Sequence, residues 1–241
     1  MTALLRAELL KLRTTRTFAA LAGAALAFSL LVVVLGAITQ NYKEHPSDLH
    51  TLFTSDFSSV FILLLGAIGM TGEWRHRTIT GTILAAPDRV RLLGAKTLAY
   101  ALGGIVLSLA VTAAMMLTGT LILETRGQPT LDLAGLADLL WRNLAVAALL
   151  GGLGVATGAL LRNQIATVVG LLVVGLALEP TLLSQLPDIE RFGPLLGAPT
   201  GILGVNRGAL LAPGIAALVS IAWAGVAFTG AGALLRRRDL I

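Results

Sequence analysis

Six apolar runs, each about as long as a bilayer is thick, constrain the fold of this chain more than any other feature. They cover residues 18–39, 52–72, 93–123, 139–161, 164–183 and 212–235. A helix needs about 20 apolar residues to cross the hydrocarbon layer. Only 13% of the 241 residues are charged, whereas a soluble domain carries about a quarter. We therefore predict an all-α integral membrane protein with six transmembrane helices in one domain.

The distribution of basic residues predicts the orientation of these spans. With the N-terminus inside, 13 of the 18 lysines and arginines fall in cytoplasmic segments and 5 in outer segments. Both termini are then cytoplasmic. We attribute the net charge of +5 to lipid-facing loops and predict no nucleic-acid partner. The outer segment 184–211 is apolar and rich in proline, so we expect short helices there that fold back against the outer mouth of the bundle.

The segment before the first span, residues 1–17, has the pattern of an amphipathic helix. Leu5, Leu9 and Leu12 recur at helical spacing, and cations occupy much of the remaining surface. Such a helix lies at the inner membrane interface. The alternative is a basic flank that only fixes topology. The polar residues assigned to the interfacial helix are Arg6, Glu8, Lys11, Arg13 and Arg16.

The stretch between the second and third spans, residues 73–96, holds many of the few charges of the chain. It contains a weakly apolar stripe at spacings of three to four residues, made by Trp74, Thr78, Ile79, Thr82, Ile83 and Ala86. Glu73 and Arg77 are four residues apart and are expected to pair along a helix that ends at Pro87. An ordinary solvated loop is the alternative.

The same stretch resembles the inner loop of ABC-2-type transporter permeases. The resemblance rests on Glu73-x-Arg75-x-x-Thr78-Ile79-x-x-Thr82-Ile83-x-x-x-Pro87-x-Arg89, followed by Ala95-Lys96. Glu8-x-x-Lys11-Leu12-Arg13-x-x-Arg16 resembles the connecting helix before the first span of that family, and the six-span layout is similar as well. Gly81 departs from the family pattern, which often has a better helix former there.

The resemblance implies a permease subunit of an ATP-driven transporter in a bacterial plasma membrane. In the family, a coupling helix in the inner loop docks on a separate ATP-binding subunit. Two such subunits and a second permease, identical or homologous, are the implied partners, and ATP and Mg²⁺ belong to the ATP-binding subunits. The residues implied in docking are Glu73, Arg75, Arg77, Thr78, Ile79, Thr82, Ile83, Pro87 and Arg89.

The chain lacks the sequence motifs of an ATPase or a zinc protease. It has no Gly-x-x-x-x-Gly-Lys-Ser/Thr loop and no His-Glu-x-x-His run, so we predict no catalysis and no cofactor on this chain. His45 and His50, with Glu44 and Asp48 nearby, match no standard metal spacing. The aliphatic spans favour an amphiphilic or apolar cargo, such as a drug, a lipid or a peptide.

Two acidic residues within the spans are candidates for a transport pathway. They are Glu179, near the outer end of the fifth span, and Asp56, in the outer third of the second span. Placing a charged side chain in lipid costs free energy, so such residues commonly mark a pathway. Contact with water at the outer interface is the alternative for both. Gly154 and Gly158 favour packing within the bundle over a dimer seam. A membrane scaffold or signalling subunit shares these features, and a secondary transporter is a further alternative.

Overall fold

The computed structural model describes residues 2–78, 81, 88–205 and 210–237, and these form a helical bundle in which no strand occurs. The helices are α1 (Thr2–Thr14), α2 (Arg16–Thr39), α3 (Ser47–Thr54), α4 (Ser58–Arg75), α5 (Arg89–Thr125), α6 (Leu133–Leu161), α7 (Gln164–Gln185), α8 (Pro187–Glu190), α9 (Gly197–Leu203) and α10 (Pro213–Arg237). We call the end of the bundle that holds residues 75–78, 88–89 and 162–163 the inner end, following the predicted topology, and the opposite end the outer end.

Six segments in the described residues are long and apolar enough to cross a membrane, as the hydropathy pattern predicts. They are Arg16–Thr39, Ser47–Arg75, Arg89–Thr125, Leu133–Leu161, Gln164–Gln185 and Pro213–Arg236. The second is not one continuous helix, because residues 55–57 separate α3 from α4. The fifth contains a wider π-helical turn, Val174–Leu178, just before Glu179. Neither irregularity was predicted.

The centre of the bundle is the pair α4 and α6, whose backbones come into direct contact. A Cβ atom added at Gly154 of α6 would overlap the carbonyl oxygen of Leu63 in α4, and one added at Gly66 would overlap that of Gly151. The predicted role of the α6 glycines in packing within the bundle is therefore confirmed. Around this pair, α2, α7 and α10 lie at the periphery, and few of the residues in their spans are buried.

The outer segment contains the short helices that the sequence predicts. Helix α8 follows the end of α7, and α9 packs against α10 and α6. Arg142 of α6 donates a hydrogen bond of 3.0 Å to the carbonyl of Ile202 at the end of α9. Trp223 of α10 donates one of 2.8 Å to the carbonyl of Phe192. These bonds fix the segment against the bundle.

Candidate functional site

Four charged side chains meet at the inner end and form what we call the inner cluster, made of Glu8, Lys11, Glu73 and Lys96. Lys96 Nζ lies 2.6 Å from Glu8 Oε2 and 2.9 Å from Glu73 Oε1. Lys11 Nζ lies 2.7 Å from Glu8 Oε1 and 3.2 Å from Glu73 Oε1. The cluster therefore joins α1 to the last turn of α4 and the first turns of α5. Helices α4 and α5 flank the segment 76–88.

The inner cluster is electrically balanced, with two carboxylates and two ammonium groups. The side chains of Lys96 and Glu8 are only 1% and 3% exposed, whereas that of Lys11 is 48% exposed. Burial alone would raise the pKa of Glu8, but attraction to Lys96 and hydrogen bonds from both lysines outweigh burial and lower it. Burial likewise opposes the charge of Lys11, yet its carboxylate partners raise the pKa of Lys11 overall.

Apolar packing encloses the charges of the inner cluster. Leu12 is buried among Met70, Leu93 and Tyr100, and Leu5 and Leu9 pack against the same group. The leucine stripe of α1 therefore lies on the bundle, mainly against α5. A carboxylate buried among leucines is destabilising unless it is paired. The packing of the leucine stripe therefore depends on the ion pairs of Glu8.

Two arginines bind the end of the last helix to the same region. Arg89, at the start of α5, donates a hydrogen bond of 2.6 Å to the carbonyl of Leu235, and Arg162 donates one of 3.2 Å to that of Leu234. Both carbonyls lie in the last turn of α10, where cations are favoured by the helix dipole. Arg162 also lies 5.6 Å from the ring centre of Trp74.

The residues implied in docking divide into buried, exposed and undescribed groups. Glu73 is buried in the inner cluster, whereas Arg75, Arg77 and Thr78 are exposed. Arg75 donates a hydrogen bond of 3.2 Å to Gln164 of α7. Gly81 is helical and exposed. The remaining members of the proposed coupling helix, Ile79, Thr82, Ile83, Ala86 and Pro87, lie outside the described residues.

The predicted pair between Glu73 and Arg77 is wrong. Helix α4 ends at Arg75, and Arg77 has a φ of 55°, which the helix cannot continue. Glu73 pairs with Lys11 and Lys96 instead. Glu73 thus belongs to the membrane-spanning helix α4.

The interfacial-helix residues also divide by exposure. Arg6, Arg13 and Arg16 are exposed, as expected for the polar side of an interfacial helix, but Glu8 is buried. Sequence reasoning placed Glu8 on the polar side of α1, and it named Lys96 only as part of the loop motif. Residue spacing predicts neither the burial of Glu8 nor the ion pairs of Lys96, because the three segments that form the cluster are far apart in sequence.

Asp56 is the tenth of the 29 residues in the second spanning segment, Ser47–Arg75, and so lies close to the predicted outer third. It occupies the break between α3 and α4, at the level of Ser29, which is about 15 Å from the outer end of α2 at 1.5 Å per residue. Its carboxylate accepts hydrogen bonds from Ser29 at 3.2 Å, from Thr112 at 2.6 Å, and from the backbone N–H and hydroxyl of Ser58 at 2.6 and 3.0 Å.

Glu179 is buried and 3% exposed, which contradicts the alternative of contact with water at the outer interface. Its carboxylate accepts hydrogen bonds from the backbone N–H groups of Leu195, at 3.1 Å, and Leu196. It therefore holds the outer segment against α7. Glu190 lies beside it, and burial raises the pKa of Glu190 more than its hydrogen bond with Glu179 lowers it.

His45 and His50, with Glu44 and Asp48 nearby in sequence, are the candidate metal ligands of the outer segment after α2. In the part of the chain that the structure describes, no three side chains of the metal-binding types histidine, cysteine, aspartate and glutamate come together. Asn41 donates a hydrogen bond of 2.7 Å to Glu44.

Comparison of the chain with protein-family models gives no match, and comparison with characterised proteins gives no significant match.

Proposed function

We propose that this chain is the membrane-spanning permease subunit of an ATP-driven transporter of the ABC-2 type, which exports an amphiphilic or apolar compound. Six apolar helices and the loop motif after the second span support this proposal. The observation that carries it is the inner cluster, which joins the two ends of the loop segment 76–88 to α1. A force applied to the loop would reach three helices at once.

In this proposal, ATP-binding subunits hold the loop from the cytoplasm of a bacterial cell. Arg75, Arg77 and Thr78 are exposed, as a docking surface requires. Closure of the ATP-binding subunits would move the loop, and the ion pairs would transmit that movement to α4 and α5. No covalent chemistry takes place on this chain.

The pathway would lie between this chain and a second permease, identical or homologous. The peripheral helices α2, α7 and α10 carry exposed apolar side chains, among them Leu31, Val173 and Leu218. Lipid and the second permease would share this surface. Alternating access would then consist of a movement of the spans between inward-open and outward-open arrangements.

The test is affinity purification of the tagged chain from its native membranes, followed by measurement of ATP hydrolysis. We expect a soluble ATP-binding subunit to copurify and to hydrolyse ATP. The double change Arg75→Glu and Arg77→Glu should abolish copurification by reversing the charge of the docking surface. The double change Arg6→Glu and Arg13→Glu is the matched control, because these arginines are also exposed at the inner end but lie outside the loop.

Two results would refute the proposal. One is normal binding and ATP hydrolysis with the loop double variant. The other is labelling of residues introduced at position 77 from outside intact cells, which would place the loop on the wrong side. A chain that assembles with other membrane proteins but with no ATP-binding subunit would instead be a scaffold.

A further inference from the structure

A cavity of about 360 Å³ opens beside the helix break, between α4, α6, α7 and the outer segment. Its walls are mostly aliphatic and include Leu63, Leu150, Leu171 and Leu195. Its volume lies in the range of cavities that bind small organic molecules. The cavity shares a wall with the segment that Glu179 holds, because Leu195 and Leu196 line it.

One end of this cavity is polar and negatively charged. Thr51, Thr54, Ser55 and Asp56 line it there, and Asp56 is the one ionisable side chain among the described lining residues. Asp56 has no basic residue among its hydrogen-bond partners. It accepts four hydrogen bonds, two from Ser58 and one each from Ser29 and Thr112. Neutral donors stabilise a carboxylate without cancelling its charge, so the field of Asp56 extends into the cavity.

The hydroxyl groups near Asp56 offer acceptors to a ligand. Thr54 donates its hydrogen to the carbonyls of His50 and Thr51, at 3.2 and 3.1 Å, and Ser55 donates to Thr51 at 2.7 Å. Lone pairs remain on both oxygens once the hydrogens are used. The C-terminal end of α3 also points its partial negative charge toward the break. Every one of these features favours a cation.

An inorganic cation would not suit the rest of the cavity, whose aliphatic walls require an apolar ligand. Phe57 lines the cavity beside Asp56, and aromatic rings attract organic ammonium groups. A charged group inside a membrane-spanning bundle is costly and commonly marks a ligand or ion site. A broken helix within a membrane-spanning bundle is also a recurrent place for substrate binding in transporters.

We propose that this cavity binds an amphiphilic organic cation, with its ammonium group beside Asp56 and its apolar body between α4, α6 and α7. The cation is the substrate class that the site selects, and its role as exported cargo rests on the proposed function. All four hydrogen bonds of Asp56 are made within the protein, so the carboxylate contributes charge, and the hydroxyls of Thr54 and Ser55 serve any N–H group of the ligand.

The experiment measures binding of phenylbutyl-trimethylammonium by titration calorimetry to the purified chain in nanodiscs of zwitterionic lipid. The comparison ligand is its neutral carbon isostere, which has the same shape. At an effective dielectric of about 20 and a separation of about 6 Å, one carboxylate should favour the cation by about 10- to 100-fold. Asp56→Asn should remove this preference, because asparagine keeps the shape and an oxygen that accepts from the backbone N–H of Ser58 but loses the charge.

A matched control and a second variant keep the test decisive. Asp132 caps α6 by accepting a hydrogen bond of 2.9 Å from Gly135 N–H and does not line the cavity. Asp132→Asn removes the same charge and should leave binding unchanged. Val60→Trp should fill the cavity and weaken both ligands by at least about 10-fold, with no change at Asp56.

The inference is overturned by equal affinity for the two ligands, by a preference that survives in Asp56→Asn, or by binding that survives in Val60→Trp. Binding to the isolated chain requires no ATP-binding partner. Failure of binding would therefore leave the proposed transporter standing without this cargo site. Cation binding by a chain that recruits no ATPase would refute the transporter and keep the site.

Discussion

Replacing Lys96 by methionine is the most direct test of the inner cluster. Methionine keeps the length and apolar stem of the side chain but removes the ammonium group, which is 2.6 Å from Glu8 and 2.9 Å from Glu73. Both carboxylates are nearly buried, and Lys11, which is half exposed, would be left to balance them alone. Removal of one partner from a buried ion pair costs about 3–5 kcal/mol.

The same reasoning predicts unequal costs for the two lysines. Lys11→Met should cost at most about 1 kcal/mol, because its side chain is about half exposed and its ion pairs are screened by water. In a chain of this size, 1 kcal/mol corresponds to about 2–4 °C in melting temperature. We therefore expect Lys96→Met to lower the melting temperature by about 6–20 °C, measured by tryptophan fluorescence in nanodiscs.

A compensating change makes the prediction specific to charge. Lys96→Met combined with Glu73→Gln leaves Glu8 and Lys11 as a balanced pair 2.7 Å apart. The double variant should therefore be more stable than Lys96→Met alone. Equal losses for the two lysine variants, or no recovery in the double variant, would refute the assignment of the inner cluster as a buried ionic link.

Three further predictions concern other parts of the bundle. Gly154→Ala should lower the melting temperature, because the new Cβ would overlap the carbonyl of Leu63, while Gly23→Ala, which meets open space, should not lower it. Glu190→Gln should raise stability at neutral pH. The folded-state pKa of Glu190 lies above its ordinary value of 4.5, so the wild type loses stability as the pH rises from 4.5 through the raised pKa. Melting curves over a pH series should show that the variant loses less stability over this range. Glu179→Gln should loosen the outer segment and reduce transport without affecting assembly, as hydrogen exchange and efflux assays would show.

The number and approximate position of the spans could be predicted from the sequence, because hydropathy depends on composition over a window of about 20 residues. The helical form of residues 2–14 could be predicted for a similar reason, since Leu5, Leu9 and Leu12 lie at helical spacing. The packing of the α6 glycines within the bundle could be predicted because several glycines occur close together in that helix. These features depend on residues that are close in sequence.

Features that depend on distant residues could not be predicted. The inner cluster joins positions 8, 11, 73 and 96, and no local pattern distinguishes Glu8 from an exposed acid on a basic helix. The pairing of Glu73 with Arg77 was expected from spacing, but the end of α4 at Arg75 prevents it. The break at 55–57 was also missed, because an 18-residue window within Ser47–Arg75 still has a mean hydropathy of 1.7, which is high enough for one continuous span.

The contact between α4 and α6 determines which parts of the protein are free to rearrange. At Gly66 and Gly154 the two backbones are in contact, so at these points no side chain can change rotamer and let the helices slide. We expect this pair to move as a rigid body in every conformational state. Shape changes would then be confined to the outlying helices, and spin labels placed on α4 and α6 should keep a constant separation while labels on α7 and α10 report movement.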